Sequence, residues 1–104
     1  MMNKLKIGFI GAGRVADVHY NALQSCSDKA ELAAFCELRE DALASRALEW
    51  NVPGYSSMEA MFAEVALDAV VVLLPHDIHL EVIEKCLKRR LPVLLEKPLA
   101  ANIE

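Results

Sequence analysis

At 104 residues the chain has room for one domain with a real core, and too little for a complete two-domain enzyme. An apolar share of 55% and a formal net charge of −4 fit an ordinary globular protein and argue against nucleic-acid binding, which calls for a basic excess. The longest apolar stretch, Ala69 to Pro75, is far too short to span a bilayer, and the N-terminus lacks a signal-peptide pattern, so a cytoplasmic protein without a membrane partner is expected.

Near the start, Leu5-Lys6-Ile7-Gly8-Phe9-Ile10-Gly11-Ala12-Gly13-Arg14-Val15-Ala16 is an apolar run that breaks into closely spaced glycines and resumes as a helical pattern. This predicts strand, tight turn, helix. Gly11-x-Gly13-x-x-Ala16 fits the dinucleotide fingerprint: the first glycine allows the turn, the second lets a pyrophosphate approach the backbone, and the small third residue lets helix pack on strand. The phosphates would sit at the helix N-terminus, where free N–H groups favour an anion.

Val15, Val18, Ala22 and Leu23 continue that helix until the Ser25 to Lys29 cluster ends it, and Glu31 to Glu37 is a second strand. Leu43, Ala44, Ala47 and Leu48 are predicted to line one face of a second helix, with Glu40 and Asp41 at its positive end and Asn51 as a left-handed stop before Pro53. Gly54 and Tyr55 carry a short third strand. Ser56-Ser57-Met58-Glu59 has capping-box spacing, with Ser56 as cap. Asp68 to Leu74 is apolar without alternation, as expected of a parallel strand covered on both faces. His79, Leu80, Ile83, Cys86 and Leu87 mark a further helix ending in Lys88-Arg89-Arg90, and Pro92 to Glu96 is the fifth strand. Cys26, Cys36 and Cys86 are an odd, scattered set without C-x-x-C spacing, which predicts reduced packing residues and neither a disulfide framework nor a metal site.

This alternation predicts an α/β fold: an open, doubly wound parallel sheet of Rossmann type in three αβα layers, strand order 3-2-1-4-5. Ligands in such sheets bind outside the strands' carboxyl ends, where the order reverses. Glu37 closes the second strand about twenty residues beyond the glycine turn, where a carboxylate accepts hydrogen bonds from an adenosine ribose. That favours NAD, with NADP still open because Arg39 is close enough to offset the charge.

The run Gly8 to Ala16 followed by His19 resembles the N-terminal end of the glucose-fructose oxidoreductase, inositol dehydrogenase and MocA (Gfo/Idh/MocA) oxidoreductases. Leu74-Pro75-His76-Asp77-Ile78-His79 resembles the family's strand-end segment, and Glu96-Lys97-Pro98-Leu99-Ala100 its E-K-P motif. The resemblance covers nearly the whole chain in order. It implies an NAD(P)-dependent dehydrogenase acting on the secondary alcohol of a sugar, cyclitol or related polyol. It puts Gly11, Ala12, Gly13, Arg14 and Val15 around the pyrophosphate, Glu37 at the adenosine ribose, and Leu74, Pro75, His76 and His79 beside the middle of the cofactor. Glu96 and Lys97 would lie near the nicotinamide ribose, with Lys97 the candidate catalytic group. Where the family often has asparagine after the strand-end proline, this chain has His76. His19 is expected to pack or cap.

The family continues with a further helix and strand and a separate α/β domain that carries acid-base residues. This chain therefore resembles the cofactor-binding part alone, inactive by itself, with its polyol or sugar substrate engaged only alongside that domain. Self-association is expected through the uncovered fifth-strand edge or the adjoining face. Two alternatives stay open: a stand-alone dinucleotide-sensing or interaction module, and a Rossmann-like binder of another ligand such as S-adenosylmethionine.

Overall fold

In the computed structural model, which describes residues 4–74 and 79–95, strands and helices alternate throughout. The elements are β1 (Leu5–Ile10), α1 (Ala16–Ser25), β2 (Ala30–Cys36), α2 (Glu40–Trp50), β3 (Gly54–Tyr55), α3 (Met58–Glu64), β4 (Ala69–Val72), α4 (His79–Lys88) and β5 (Val93–Leu95). The strands form one sheet in the order β3-β2-β1-β4-β5, every neighbouring pair parallel, as the sequence predicts. The order reverses between β1 and β4, so the turn after β1 opens onto the position where doubly wound sheets bind ligands.

Two cores flank the sheet. One joins Ile7, Phe9, Leu32, Phe35 and Val71 to Ala16 of α1 and Trp50 of α2; the other joins Ile10, Ala34, Cys36, Val70 and Val72 to Met61 of α3 and to Val82 and Cys86 of α4. The unbroken Val70-Val71-Val72 run follows directly: successive side chains point to opposite faces, and both faces are covered. The strand is shorter than the predicted Asp68 to Leu74, because Asp68 turns its carboxylate to the Lys6 N–H and Leu73 already donates to Ile10 from beyond the ladder.

β2 carries a bulge that the apolar run conceals. Ile7 pairs with Leu32, but Gly8 pairs with Ala34, which leaves Ala33 as an extra residue. Leu32 and Phe35 therefore lie in the same core although they are three apart, and the far end of β2 advances by one residue along β1. Ile10 ends opposite Cys36, and Glu37 arrives beside the glycine turn, on the face that Phe35 shares.

Helix faces depart from the predicted stripes in α1, α2 and α4, where Ala22 and Ala44 are exposed along with three larger residues. Val18 is 66% exposed, Leu48 86% and Leu87 63%. α1 instead packs Ala16, Tyr20 and Leu23 inward, and α2 packs Leu43, Ala47 and Trp50, an i, i+4, i+7 stripe rotated away from Ala44 and Leu48. Trp50 decides the rotation. Its ring stacks on Tyr20 and meets Phe9 and Phe35 edge-on, with centroids 5.2–5.6 Å away, a burial that no leucine at position 48 offsets. α2 ends as predicted on Asn51 in the left-handed conformation, φ 57°. The cap of α3 falls one residue later than predicted. Ser57 is the last extended residue, so its Oγ, not that of Ser56, accepts from the third N–H onward, at Ala60 (3.1 Å). Glu59 is then free of capping duty and pairs with Lys85 of α4 instead.

Candidate functional site

The glycine turn begins where β1 runs out. The Gly11 N–H donates to the Cys36 carbonyl (2.9 Å), and Gly11 takes φ 102°. A Cβ there would stand 3.0 Å from the Leu73 carbonyl oxygen and from Leu74 Cδ2, so conformation and space both demand glycine. Ala16 is fully buried, the small residue that lets α1 lie close to the sheet. Gly13 is different. A Cβ at this position would meet no atom of the described residues within 4 Å, and its backbone is not left-handed, so nothing among the described residues requires glycine. The N–H groups of Ala16, Asp17 and Val18 already donate to the carbonyls of Gly13, Arg14 and Val15. The N–H groups of Gly13, Arg14 and Val15 have no partner among the described residues, which leaves three donors at the start of α1.

Two side chains grip the turn at Ala12. From the end of β2, Glu37 Oε1 accepts the Ala12 N–H at 2.8 Å and Oε2 accepts the Arg39 N–H at 3.1 Å, with the Arg39 Nε a further 3.5 Å contact. The Glu37 side chain is only 11% exposed, yet each carboxylate oxygen keeps a lone pair for another donor. From α2, Arg46 donates Nε–H to the Ala12 carbonyl (3.1 Å) and an Nη2–H to the Gly13 carbonyl (2.9 Å). Its Nη1 reaches Asp17 at 2.6 Å and Glu49 at 3.1 Å, and the guanidinium lies 4.7 Å over the Trp50 ring. The Arg46 hydrogen bond holds the Asp17 carboxyl below its ordinary range, and Asp17 in turn holds the guanidinium protonated. The sequence reading passed over Arg46. Its signal is there all the same: a cation three residues after Leu43 and four before Trp50, on the buried stripe of a helix that could have carried it outside.

Beyond the carboxyl ends of the central strands a cleft of about 400 Å³ opens between Gly11 and Glu37 on one wall and Ser57, Met58, Leu74 and Val82 on the other. Ile10, Cys36 and Leu38 make its floor and flank apolar, and the Lys85–Glu59 ion pair (2.6 Å) stands at its rim. Burial pushes the Cys36 thiol up to about 12, so it remains a neutral packing group. Cys26, Cys36 and Cys86 are all free thiols, and no cluster of three potential metal ligands occurs among the described residues.

Of the residues singled out in the sequence, Gly11, Glu37 and Leu74 line this cleft; Ala12, Gly13 and Arg14 line a separate hollow on the α2 side of the turn, with Arg39 and Arg46, and Val15 follows them at the start of α1. His79 begins α4. His19 is half-buried, its ring edge-on to Phe9 with centroids 6.4 Å apart, in keeping with packing. Pro75, His76, Glu96 and Lys97 lie outside the described residues. Among the described residues no helix is long and apolar enough to cross a membrane.

Comparison with known proteins agrees with the geometry. A family model described as "Oxidoreductase family, NAD-binding Rossmann fold" matches residues 5–104. An inositol 2-dehydrogenase of Corynebacterium glutamicum (strain R) is 32% identical over 107 residues, which take in 100% of this chain and 31% of that protein. The WlbA dehydrogenase of Chromobacterium violaceum, solved in complex with NADH and UDP-GlcNAcA, superposes with a TM-score of 0.87 at 29% identity, over 92% of this chain and 28% of the other. The myo-inositol 2-dehydrogenase of Lactobacillus plantarum gives a TM-score of 0.82 at 28% identity, over 93% and 29%. The chain thus spans less than a third of the length of the relatives it matches. The fingerprint turn, the 3-2-1-4-5 sheet and these likenesses agree, and the chain belongs to the Gfo/Idh/MocA oxidoreductase family, as its NAD-binding Rossmann fold.

Proposed function

We propose that this chain, residues 1–104, is the cofactor-binding part of a cytoplasmic NAD(P)-dependent dehydrogenase acting on the secondary alcohol of a sugar, cyclitol or polyol. Bound nicotinamide supplies the hydride acceptor or donor. The chain's own residues hold and orient it. The Gly13, Arg14 and Val15 N–H groups receive the pyrophosphate beside Gly11 and Ala12. Glu37 takes the adenosine ribose hydroxyls on its remaining lone pairs, and the apolar cleft beside Leu38, Met58 and Val82 encloses the adenine. Leu74, Pro75, His76 and His79 border the middle of the cofactor. The family resemblance assigns Glu96 and Lys97 to the nicotinamide end, with the Lys97 ammonium as the group that would meet the reacting oxygen. Acid-base chemistry on the alcohol would draw on residues outside this chain, and self-association through the β5 edge or the adjoining face belongs to the same reading.

The observation that carries this reading is Gly13. Among the described residues the space where its side chain would stand is open, next to three N–H groups without partners there, which supports a glycine kept for a ligand and not for packing. Calorimetric titration with NADH and NADPH tests it. The chain should bind NADH more tightly than NADPH, because the Glu37 carboxylate repels a 2′-phosphate. Gly13→Ala should leave the thermal midpoint nearly unchanged while weakening NADH about tenfold or more. A Gly13→Ala variant that binds NADH like the parent would refute the pyrophosphate assignment, and tighter NADPH would move the ribose contact from Glu37 to Arg39.

A further inference from the structure

We infer that Arg46 is the positioning residue of the glycine turn: from α2 it fixes the carbonyls of Ala12 and Gly13 and thereby sets the N–H groups that meet the pyrophosphate. The inference rests on the cofactor reading above and assigns a role to a residue that never needs to touch the cofactor. Four of the five guanidinium N–H donors are engaged, two on successive turn carbonyls and two on carboxylates. A planar fork suits two adjacent carbonyls; a single ammonium does not. The side chain is 13% exposed and lies flat on Trp50, itself wedged among Phe9, Tyr20 and Phe35, so little freedom is lost when the fork closes. Because a peptide plane is rigid, holding the Ala12 and Gly13 carbonyls also fixes the N–H groups of Gly13 and Arg14 across the same two peptide bonds.

Charge alone does not account for the arrangement. Arg46 is paired with both Asp17 and Glu49, and the three together carry a net −1, which would not draw an anion. Glu37 grips the Ala12 N–H from the opposite side, so this one residue is held at both its polar groups. A backbone pre-set in this way binds without the cost of ordering the turn at the moment of association.

The test compares Arg46→Met and Arg46→Lys in the 104-residue chain, with ADP-ribose, NADH and adenosine as ligands and amide hydrogen exchange of the free chain as a readout independent of any ligand. Arg46→Met should weaken ADP-ribose and NADH alike by about tenfold or more, the worth of one charge-assisted hydrogen bond, and leave adenosine unchanged. Exchange should quicken at Ala12 and Ala16, whose N–H groups donate to Glu37 and to the Gly13 carbonyl, and stay slow in β1 and β4. Arg46→Lys, which keeps the charge and loses the fork, should recover only a minor part of the affinity. Full recovery by lysine, equal losses for adenosine and ADP-ribose, or unchanged turn exchange would each overturn the inference. Should Arg46→Met fail to fold, Asp17→Asn removes one surface partner of Nη1 without opening the core, and a smaller loss of the same selectivity is expected; no loss overturns the inference. Failure of the parent chain itself to bind NADH counts against the cofactor reading, whereas the exchange result judges Arg46 separately.

Discussion

The two walls of the crevice are built on opposite principles. On the α1–α2 side, polar groups are cross-braced: Glu37, Arg46, Asp17 and Glu49 fix the turn through hydrogen bonds of 2.6–3.1 Å, backed by the Trp50 aromatic cluster. On the α3–α4 side, Met58, Val82 and Leu74 offer an apolar surface, with Ser56, Ser57 and Glu81 beside it and an exposed ion pair at the rim. The difference matches what a dinucleotide presents. A pyrophosphate is read by directed N–H groups, which must be held in place before it arrives; a purine ring is read by area, which tolerates adjustment.

Removing the support behind the braced wall should have the largest effect. Trp50→Ala deletes the ring that carries Arg46 and separates Phe9 from Tyr20, and a buried Trp→Ala change costs about 3–5 kcal/mol. For a domain of this size that is a large share of the total stability. Urea unfolding followed by circular dichroism should show the midpoint falling steeply. A loss below about 1 kcal/mol would mean that the aromatic cluster does not carry the wall.

Glu37→Gln is the intermediate case, since it cuts one brace while keeping the shape. The amide oxygen can still accept the Ala12 N–H, so the stability loss should stay near 1 kcal/mol. The ligand preference should move more. Without the carboxylate the repulsion of a 2′-phosphate disappears and Arg39 loses its anionic partner, so the ratio of NADPH to NADH affinity should rise about tenfold, as read by calorimetry. An unchanged ratio would separate Glu37 from cofactor choice.

The sequence revealed what depends on spacing and concealed what depends on register. Gly11, Gly13 and Ala16 are a pattern with a mechanism, and the Val70-Val71-Val72 run identifies a doubly covered strand, so sheet order and crevice were both legible. The Ala33 bulge was not. Two adjacent alanines fit either face, and the shift shows only in Leu32 and Phe35 sharing a core three residues apart. Glu37 was therefore recognised from its distance along the chain, while its hold on the Ala12 N–H was invisible. Leu48 misled for a related reason: hydrophobicity suggested that it faced inward, and Trp50 outweighed it in setting the rotation of α2. Arg46 escaped because a cation on a helix is ordinarily assigned to the solvated face, and only the fold brings it against two carbonyls thirty-odd residues back.

The smallest expected effect comes from setting two ion pairs of equal length against each other. Asp17–Arg46 and Glu59–Lys85 are both 2.6 Å, and in both the hydrogen bond to the cation lowers the carboxyl pKa. A carboxyl lowered in the folded state adds stability above its ordinary value, 3.8 for Asp17 and 4.5 for Glu59, and that stability is lost as pH falls through the folded pKa. The sign is the same for both pairs; their resistance to salt should differ. Lys85 is a flexible chain held by Glu59 in water, whereas Arg46 is held independently by two carbonyls and the Trp50 face, so its guanidinium stays in place when screening weakens the attraction. Carboxyl titrations by NMR at low salt and at about 1 M, where the screening length is about 3 Å, should show Glu59 moving back toward 4.5 while Asp17 remains lowered. Lys85→Met should lower the thermal midpoint only slightly, as expected of an exposed pair. If Asp17 relaxed with salt as far as Glu59 does, the two walls would be equally loose, and a pre-set turn would no longer account for the contrast between them.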